Sequence, residues 1–155
     1  MANRIIIPSR TDKTGPALFW GTLVFSVLGT LDAVYLLIYK LTGNSHMCLG
    51  NGGCHNVNFS PYSEINGIPV SVLGICAYLV ILFILILEPR VKIAEENGPL
   101  AIFGISLGGV AFSAYLTYLE IYIIRAVCPF CVASAVLITL IFILAAIRLV
   151  KQTIK

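Results

Sequence analysis

Charge is scarce in this sequence. Seven acidic and ten basic residues make up 11% of the 155-residue chain, whereas soluble domains carry about 25% charged residues. Because 59% of the residues are hydrophobic, the chain has too little polar surface to cover a soluble core, which excludes a water-soluble domain. The basic residues are scattered, which excludes a nucleic-acid-binding surface. The sequence has no internal repeat, and its length suits one domain.

Most of the sequence consists of four long apolar runs. They have 19 to 26 residues each and cover residues 16–39, 69–87, 99–124 and 129–150. About 20 helical residues cross a hydrocarbon core of about 30 Å, and each run begins at a proline, which is favoured at the first position of a helix. We therefore predict an all-α fold, an integral membrane four-helix bundle over residues 16–150, with cytoplasmic tails at residues 1–15 and 151–155.

The positions of lysine and arginine predict the orientation of the bundle. Eight of these residues fall on the side that holds both termini, and only Lys40 and Arg125 fall on the other. Since basic residues favour the cytoplasmic side, we expect both termini in the cytoplasm and the long loop of residues 40–68 outside it. Ser60 and Pro61 in this loop are typical of a helix start, so we predict a short surface helix there.

Four of the five cysteines fall on the predicted non-cytoplasmic side, where disulfides persist. Cys48 and Cys54 enclose three glycines in the long loop, and Cys128 and Cys131 form a C-x-x-C motif at the start of the fourth run. The free amides and the dipole of a helix N-terminus favour the nucleophilic thiolate. This arrangement predicts two redox-active pairs, with a pliant loop pair that exchanges with the inner one. Cys76 lies inside an apolar run, and we interpret it as a buried small hydrophobe.

Two carboxyl groups lie inside the predicted spans, where charge is costly and often functional. Glu120 is about one helical turn from the outer end of the third run, within reach of Cys128 and Cys131. Glu120 is either a proton relay, or it has a structural role as a neutral carboxyl group or as the partner of Arg125. The sequence leaves both interpretations open. Asp32 lies deeper, and we interpret it as structural.

Small residues in the third run indicate how that helix packs. Gly104 and Gly108 are four residues apart, a spacing that lets two helix backbones approach closely in lipid. We therefore expect this pair at a helix–helix contact rather than in a chemical role.

Several features in chain order resemble the vitamin K epoxide reductase family in its bacterial and archaeal form. They are the loop pair Cys48 and Cys54, Ser60 six residues after the second of these, Gly67-Ile68-Pro69 before the second run, and Cys128-Pro129-Phe130-Cys131. Together they extend over nearly the whole chain. The resemblance implies a thiol-disulfide oxidoreductase that supports disulfide bond formation in the inner membrane of a prokaryote.

The resemblance also implies residue roles around a quinone pocket. Cys131 would face the quinone, with Cys128 as its exchange partner. Cys54 would form the transient link to Cys128, and Cys48 would exchange with an external thiol protein. Ser60 would lie near the quinone head group, with Glu120 as a further candidate at the same site.

Two departures from the family refine these expectations. Vertebrate members carry a tyrosine four residues after the second C-x-x-C cysteine, and this chain has Ala135. This favours ubiquinone or menaquinone over vitamin K epoxide as the electron acceptor. The sequence stops at Lys155 without the thioredoxin-like domain that many members carry, so we expect a separate thioredoxin-like or DsbA-like protein as the electron donor.

Two other interpretations use the same residues. A metal-binding or metal-transporting membrane protein would use the four cysteines with His46 and His55, and Asp32 and Glu120 would mark an ion path. The spacing fits no compact zinc module, so we predict no metal site and interpret the histidines as neutral surface residues. The second interpretation is a membrane subunit without catalytic activity, in which the disulfides only stabilise the structure. The position of C-P-F-C at a helix start argues against both.

Overall fold

The computed structural model describes residues 15–43 and 53–154. Within these residues, four helical segments are long and apolar enough to cross a membrane. They are α1 (Gly15–Thr42), α3 (Val70–Leu87), α4 (Lys92–Tyr118) continued by a π-helical turn (Leu119–Ile124), and α5 (Pro129–Thr153). The predicted all-α membrane bundle is confirmed.

The four long helices pack as a closed ring. Helix α1 contacts α3 and α5, and α4 contacts α5 and α3. The inner faces form one apolar core of seven buried residues, Tyr78, Ile81, Leu85, Ile102, Ile138, Ile141 and Ala145. Outward-facing leucine, valine and isoleucine side chains stay exposed, as the surface of a lipid-embedded bundle requires.

Cys76 does not lie in this core. It is a free, exposed thiol on α3, on the same helical face as the exposed Leu79, Val80 and Phe83. Those spacings of three, four and seven residues define one face of a helix. The prediction of a buried Cys76 was wrong because hydrophobicity alone does not show which face of a uniformly apolar helix turns outward.

The close helix contacts use other glycines than the predicted pair. A Cβ atom at Gly104 or Gly108 would meet nothing within 4 Å. At Gly29 it would overlap the ring of Tyr78, and at Gly109 it would lie 2.7 Å from Ile138 Cγ1. The expected contact at Gly104 and Gly108 was therefore wrong, because the rotation of α4 turns their neighbour Gly109 toward α5 instead.

Helix α4 begins earlier than the proline rule predicts. It starts at Lys92, so Pro99 lies inside the helix. A proline lacks the N–H that would bond to the carbonyl four residues earlier, here the carbonyl of Glu95. The side-chain amide of Gln152 donates to that oxygen at 3.4 Å and to the Glu96 carbonyl at 3.3 Å. A contact from α5 thus satisfies the group that Pro99 leaves free.

A buried ion pair closes the end of the bundle near the C-terminus. Arg148 Nη2 lies 2.6 Å from Glu88 Oε2, and the two side chains are 16% and 8% exposed. The guanidinium also lies 5.9 Å above the Phe19 ring centroid. This pair joins the end of α3 to α5 and α1, which the sequence did not indicate.

At the opposite end, the described part of the long loop forms a cap over the bundle. It comprises α2 (Gly53–Asn58), a 3₁₀ turn (Pro61–Ser63), β1 (Glu64–Ile65) and β2 (Ile68–Pro69). The two short strands pair antiparallel. Their turn holds Asn66 and Gly67 at φ 53° and 81°, as a two-residue hairpin turn requires.

The cap differs from the predicted short helix. Only a single 3₁₀ turn follows Ser60, whose hydroxyl donates to the Val57 carbonyl at 2.8 Å instead of capping that turn. The α-helix of the loop lies just before it, at α2. Lys40 of α1 anchors the cap, with Nζ 2.7 Å from Ser63 Oγ and 3.0 Å from Glu64 Oε1.

Candidate active site

Cysteines from the two predicted pairs meet in one buried cluster beneath the cap. Cys54 is 2% exposed and Cys128 is fully buried, and both pack with Leu36 and Tyr39. Cys54 is disulfide-bonded, whereas Cys128 is a free thiol. Cys48 lies outside the described residues. The loop helix and the C-x-x-C motif are therefore neighbours, although residues 59–127 lie between them in the sequence.

Gly53 permits this approach. A Cβ atom at Gly53 would overlap the carbonyl oxygen of Val127, the residue just before Cys128. The backbone of α2 therefore packs directly on the turn that leads into α5. Gly53 precedes Cys54, so this contact sets the position of the loop cysteine against the inner pair.

The C-x-x-C motif occupies the predicted helix start. Cys128 is the N-cap residue of α5 and Pro129 is its first helical residue. The chain reaches this position through Arg125, whose left-handed backbone at φ 52° ends the π-helical turn. The Cys131 thiol hydrogen-bonds to Cys128, and with two backbone amides of the first turn it lowers the pKa of Cys128 against the opposing effect of burial. Cys128 thus has the environment of a reactive thiolate.

Glu120 lies beside both cysteines of the motif. Its carboxylate accepts a hydrogen bond from the Cys128 amide at 3.5 Å, and it lies within hydrogen-bonding reach of the Cys131 side chain. Glu120 is only 4% exposed. The ion pairs among residues 15–43 and 53–154 join other residues, so Glu120 is not the partner of Arg125. Glu120 belongs to the π-helical turn, which brings it beside the motif. Such turns often occur at functional sites.

A cavity of about 290 Å³ lies against these residues. All four long helices and the cap contribute to its walls, which are mainly apolar. Cys131, Glu120 and Ser60 all line it, while Cys128 lies behind Cys131 and does not. The structure thus brings Cys131, Glu120 and Ser60 to one apolar space, open to a membrane-soluble ligand of modest size.

Two sets of polar groups differ in their hydrogen bonds. The hydroxyls of Ser60, Ser63 and Tyr78 donate to the carbonyls of Val57, Ser60 and Ser134 at 2.8, 2.8 and 3.0 Å. By contrast, Asn58 Nδ2 and Ser71 Oγ are buried and have no hydrogen-bond partner among the described residues. Both residues line the cavity. A quinone has carbonyl acceptors on an apolar ring, and these unpaired donors in an apolar cavity fit such a group.

Sequence reasoning missed Asn58 and Ser71. Neither belongs to a motif, and both are ordinary residues at the ends of short or apolar helices. Asn58 follows Cys54 by four residues, which is one helical turn. Recognising α2 in the loop would have placed Asn58 on the same face as Cys54.

Comparison with known proteins agrees with this geometry. A model of the vitamin K epoxide reductase family matches residues 20–146. The chain belongs to that family. It is also 34% identical over 121 residues to the thiol-disulfide oxidoreductase LTO1 of Arabidopsis thaliana, across 74% of this chain and 32% of LTO1. The chain thus spans about a third of the length of that relative.

The remaining candidate residues either do not line the cavity or lie outside the described residues. His55 is exposed on α2 and stacks on Phe59, and His46 falls outside the described residues. Asp32 does not line the cavity, and its Oδ2 atom is buried with no hydrogen-bond partner in the described part of the chain. In the part of the chain that is described, no three His, Cys, Asp or Glu side chains are grouped to hold a metal ion.

Proposed function

We propose that this vitamin K epoxide reductase family protein is a membrane thiol oxidoreductase that takes electron pairs from a thioredoxin-like dithiol protein and passes them to a membrane quinone. The observation that carries the proposal is the position of Cys131. Its side chain lines the apolar cavity while its partner Cys128 lies buried beside Cys54. The C-x-x-C motif therefore has one cysteine toward the loop disulfide and one toward the lipid-soluble acceptor.

Electrons enter at the loop pair. A thiolate of the donor protein attacks the disulfide of Cys54, for which we propose Cys48 as the other half, and the donor leaves oxidised. The Cys54 thiolate then attacks Cys128 in the Cys128–Cys131 disulfide and releases the Cys131 thiolate. Cys48 attacks Cys54, re-forms the loop disulfide and releases Cys128. Each exchange conserves one electron pair.

The inner dithiol is then positioned to deliver its electrons to the cavity. Cys54 is disulfide-bonded and Cys128 and Cys131 are free thiols, which is the set of bonds that the proposed cycle requires at this stage. Glu120 is near enough to take the proton from Cys131 Sγ, and the Cys128 thiolate would close the disulfide with Cys131 as the electron pair passes to the bound acceptor. The two residues of the motif therefore have different tasks, set by their different neighbours.

A quinone would supply the acceptor for this electron pair. It takes up two electrons and two protons and leaves as the quinol, which balances the oxidation of one dithiol to a disulfide. Cys131, Glu120 and Ser60 would border its head group. The absence of a tyrosine at Ala135, which also lines the cavity, favours ubiquinone or menaquinone. The integral membrane position gives the acceptor access through the lipid.

The test is anaerobic quinone reduction by the purified chain in detergent, driven by dithiothreitol. We expect reduction by the wild type, loss in Cys131→Ala, and normal rates in Cys76→Ala, which removes an exposed free cysteine outside the cavity. With a reduced thioredoxin-like protein as donor, Cys54→Ala should also be inactive. Full activity in Cys131→Ala would contradict the proposal. Folded wild type that reduces no quinone but holds stoichiometric zinc or copper would favour a metal-binding function instead.

A further inference from the structure

Hydrogen-bond capacity distinguishes the polar residues of the cavity. A quinone carbonyl accepts hydrogen bonds and cannot donate them, so the protein must supply a donor. Ser60 has one proton, and it is donated to the Val57 carbonyl at 2.8 Å. The protons of Ser63 and Tyr78 are directed to backbone carbonyls in the same way. These hydroxyls offer only lone pairs to a ligand.

Asn58 and Ser71 differ from these hydroxyls, since Asn58 Nδ2 and Ser71 Oγ are buried and have no hydrogen-bond partner among residues 15–43 and 53–154. Asn58 is 8% exposed and lines the cavity. A buried amide without a partner destabilises the folded protein, and most buried polar groups in proteins are hydrogen-bonded. Asn58 is one of the residues that line the cavity, so rotation of its side chain would turn this amide toward a ligand bound there.

The position of Asn58 relates it to the reacting sulfur. It ends α2, which contacts both α5 and the π-helical turn, the two segments that carry Cys131 and Glu120. A ligand group bound at Asn58 therefore lies at the cysteine end of the cavity. Asn58 also belongs to the helix that begins at Gly53 and carries Cys54, so the electron-donating loop and the ligand contact belong to one element.

We propose that the Asn58 carboxamide, rather than the Ser60 hydroxyl, donates the hydrogen bond that holds a carbonyl of the quinone head group. This rests on the proposed function. A carboxamide has both a donor and an acceptor. It bonds the quinone carbonyl through Nδ2, and after rotation it accepts the hydroxyl of the quinol through Oδ1. The same side chain thus serves substrate and product.

The test measures quinone binding without turnover. The oxidised full-length protein in detergent is titrated with ubiquinone-1 and with a short-chain menaquinone, and the infrared carbonyl stretch of ¹³C-labelled bound quinone is recorded. Asn58→Leu removes the donor and keeps the number and branching of the side-chain heavy atoms, and Asn58→Ala serves if the leucine variant does not fold. Asn56→Leu is the matched control, since Asn56 is exposed on the same helix and does not line the cavity.

In Asn58→Leu we expect quinone affinity to fall about three- to tenfold and the carbonyl stretch to move toward the free-quinone frequency. The ligand-free melting temperature should stay equal or rise, because an unpaired buried amide is gone. Asn56→Leu should match the wild type in all three measurements.

Wild-type affinity and an unshifted carbonyl band in Asn58→Leu would overturn the role of Asn58 while leaving the quinone function intact. A lowered ligand-free melting temperature that accounts for the weaker binding would assign Asn58 a structural role and overturn the proposal as well. Absence of quinone binding by the folded wild type would instead refute the proposed function itself.

Discussion

The backbone amide of Cys128 donates to the Glu120 carboxylate at 3.5 Å. This contact joins the end of α4 to the start of α5 across the turn at Arg125. It holds a buried carboxyl group beside Cys128 and within hydrogen-bonding reach of the Cys131 side chain. In the proposed mechanism, this carboxyl group would take the proton at the point where the sulfurs react.

Glu120→Gln should slow quinone reduction about 10²-fold, because the amide keeps the hydrogen-bonding shape and loses the ability to take a proton. Internal exchange from Cys54 to Cys128 should be unaffected. Stopped-flow quinone absorbance checks the first expectation, and thiol trapping checks the second. Glu96→Gln, an exposed change in α4, is the control. Equal rates in Glu120→Gln and the wild type would exclude the proton relay.

Gly53→Ala should slow exchange between the loop pair and the inner pair. The added methyl group would overlap the Val127 carbonyl, which displaces Cys54, and displacements of about 1 Å at reacting atoms can cost about 10²-fold in rate. In a Cys131→Ser background, the trapped Cys54–Cys128 disulfide is quantified by peptide mass spectrometry. Gly104→Ala, where a Cβ atom meets nothing within 4 Å, should trap normally. Normal trapping in Gly53→Ala would contradict this role.

Removing the Cys131 thiol should raise the pKa of Cys128. The hydrogen bond from Cys131 is the main cause of the lowered value, and a lowered pKa means that the thiolate persists to lower pH. Cys131→Ser retains a donor and Cys131→Ala does not, so the thiolate absorbance near 240 nm should titrate at higher pH in the alanine variant. Both variants are measured in a Cys76→Ala background. Equal titration midpoints would show that backbone amides alone stabilise this thiolate.

Arg148→Ala should destabilise the bundle by about 3–5 kcal/mol, because it leaves the Glu88 carboxylate buried without its partner. The double replacement Glu88→Leu with Arg148→Met should recover most of this loss. Thermal unfolding in detergent measures both. A loss in the double variant as large as the sum of the losses in Glu88→Leu alone and Arg148→Met alone would show that the two residues act independently.

The C-x-x-C position was predictable because it depends on local chemistry. Pro129 favours the first position of a helix, so the fourth helix was expected to begin there with the C-x-x-C motif at its start. In the structure Pro129 is the first residue of α5 and Cys128 is its N-cap residue. The same reasoning failed at Pro99, which lies inside α4. The Glu95 carbonyl that Pro99 leaves free accepts a hydrogen bond from Gln152 of α5. A proline rule cannot anticipate a side chain more than fifty residues away.

The sequence by itself determined the number of long apolar helices and the position of the C-x-x-C motif at a helix start, because hydrophobic length and helix-start chemistry are local properties. Only the tertiary structure decided which residues meet. The contact of Gly53 with Val127, the unpaired amide of Asn58 in the cavity, and the pairing of Glu88 with Arg148 depend on how each helix is rotated. In a chain this uniformly apolar, hydrophobicity does not fix that rotation, and packing between helices does.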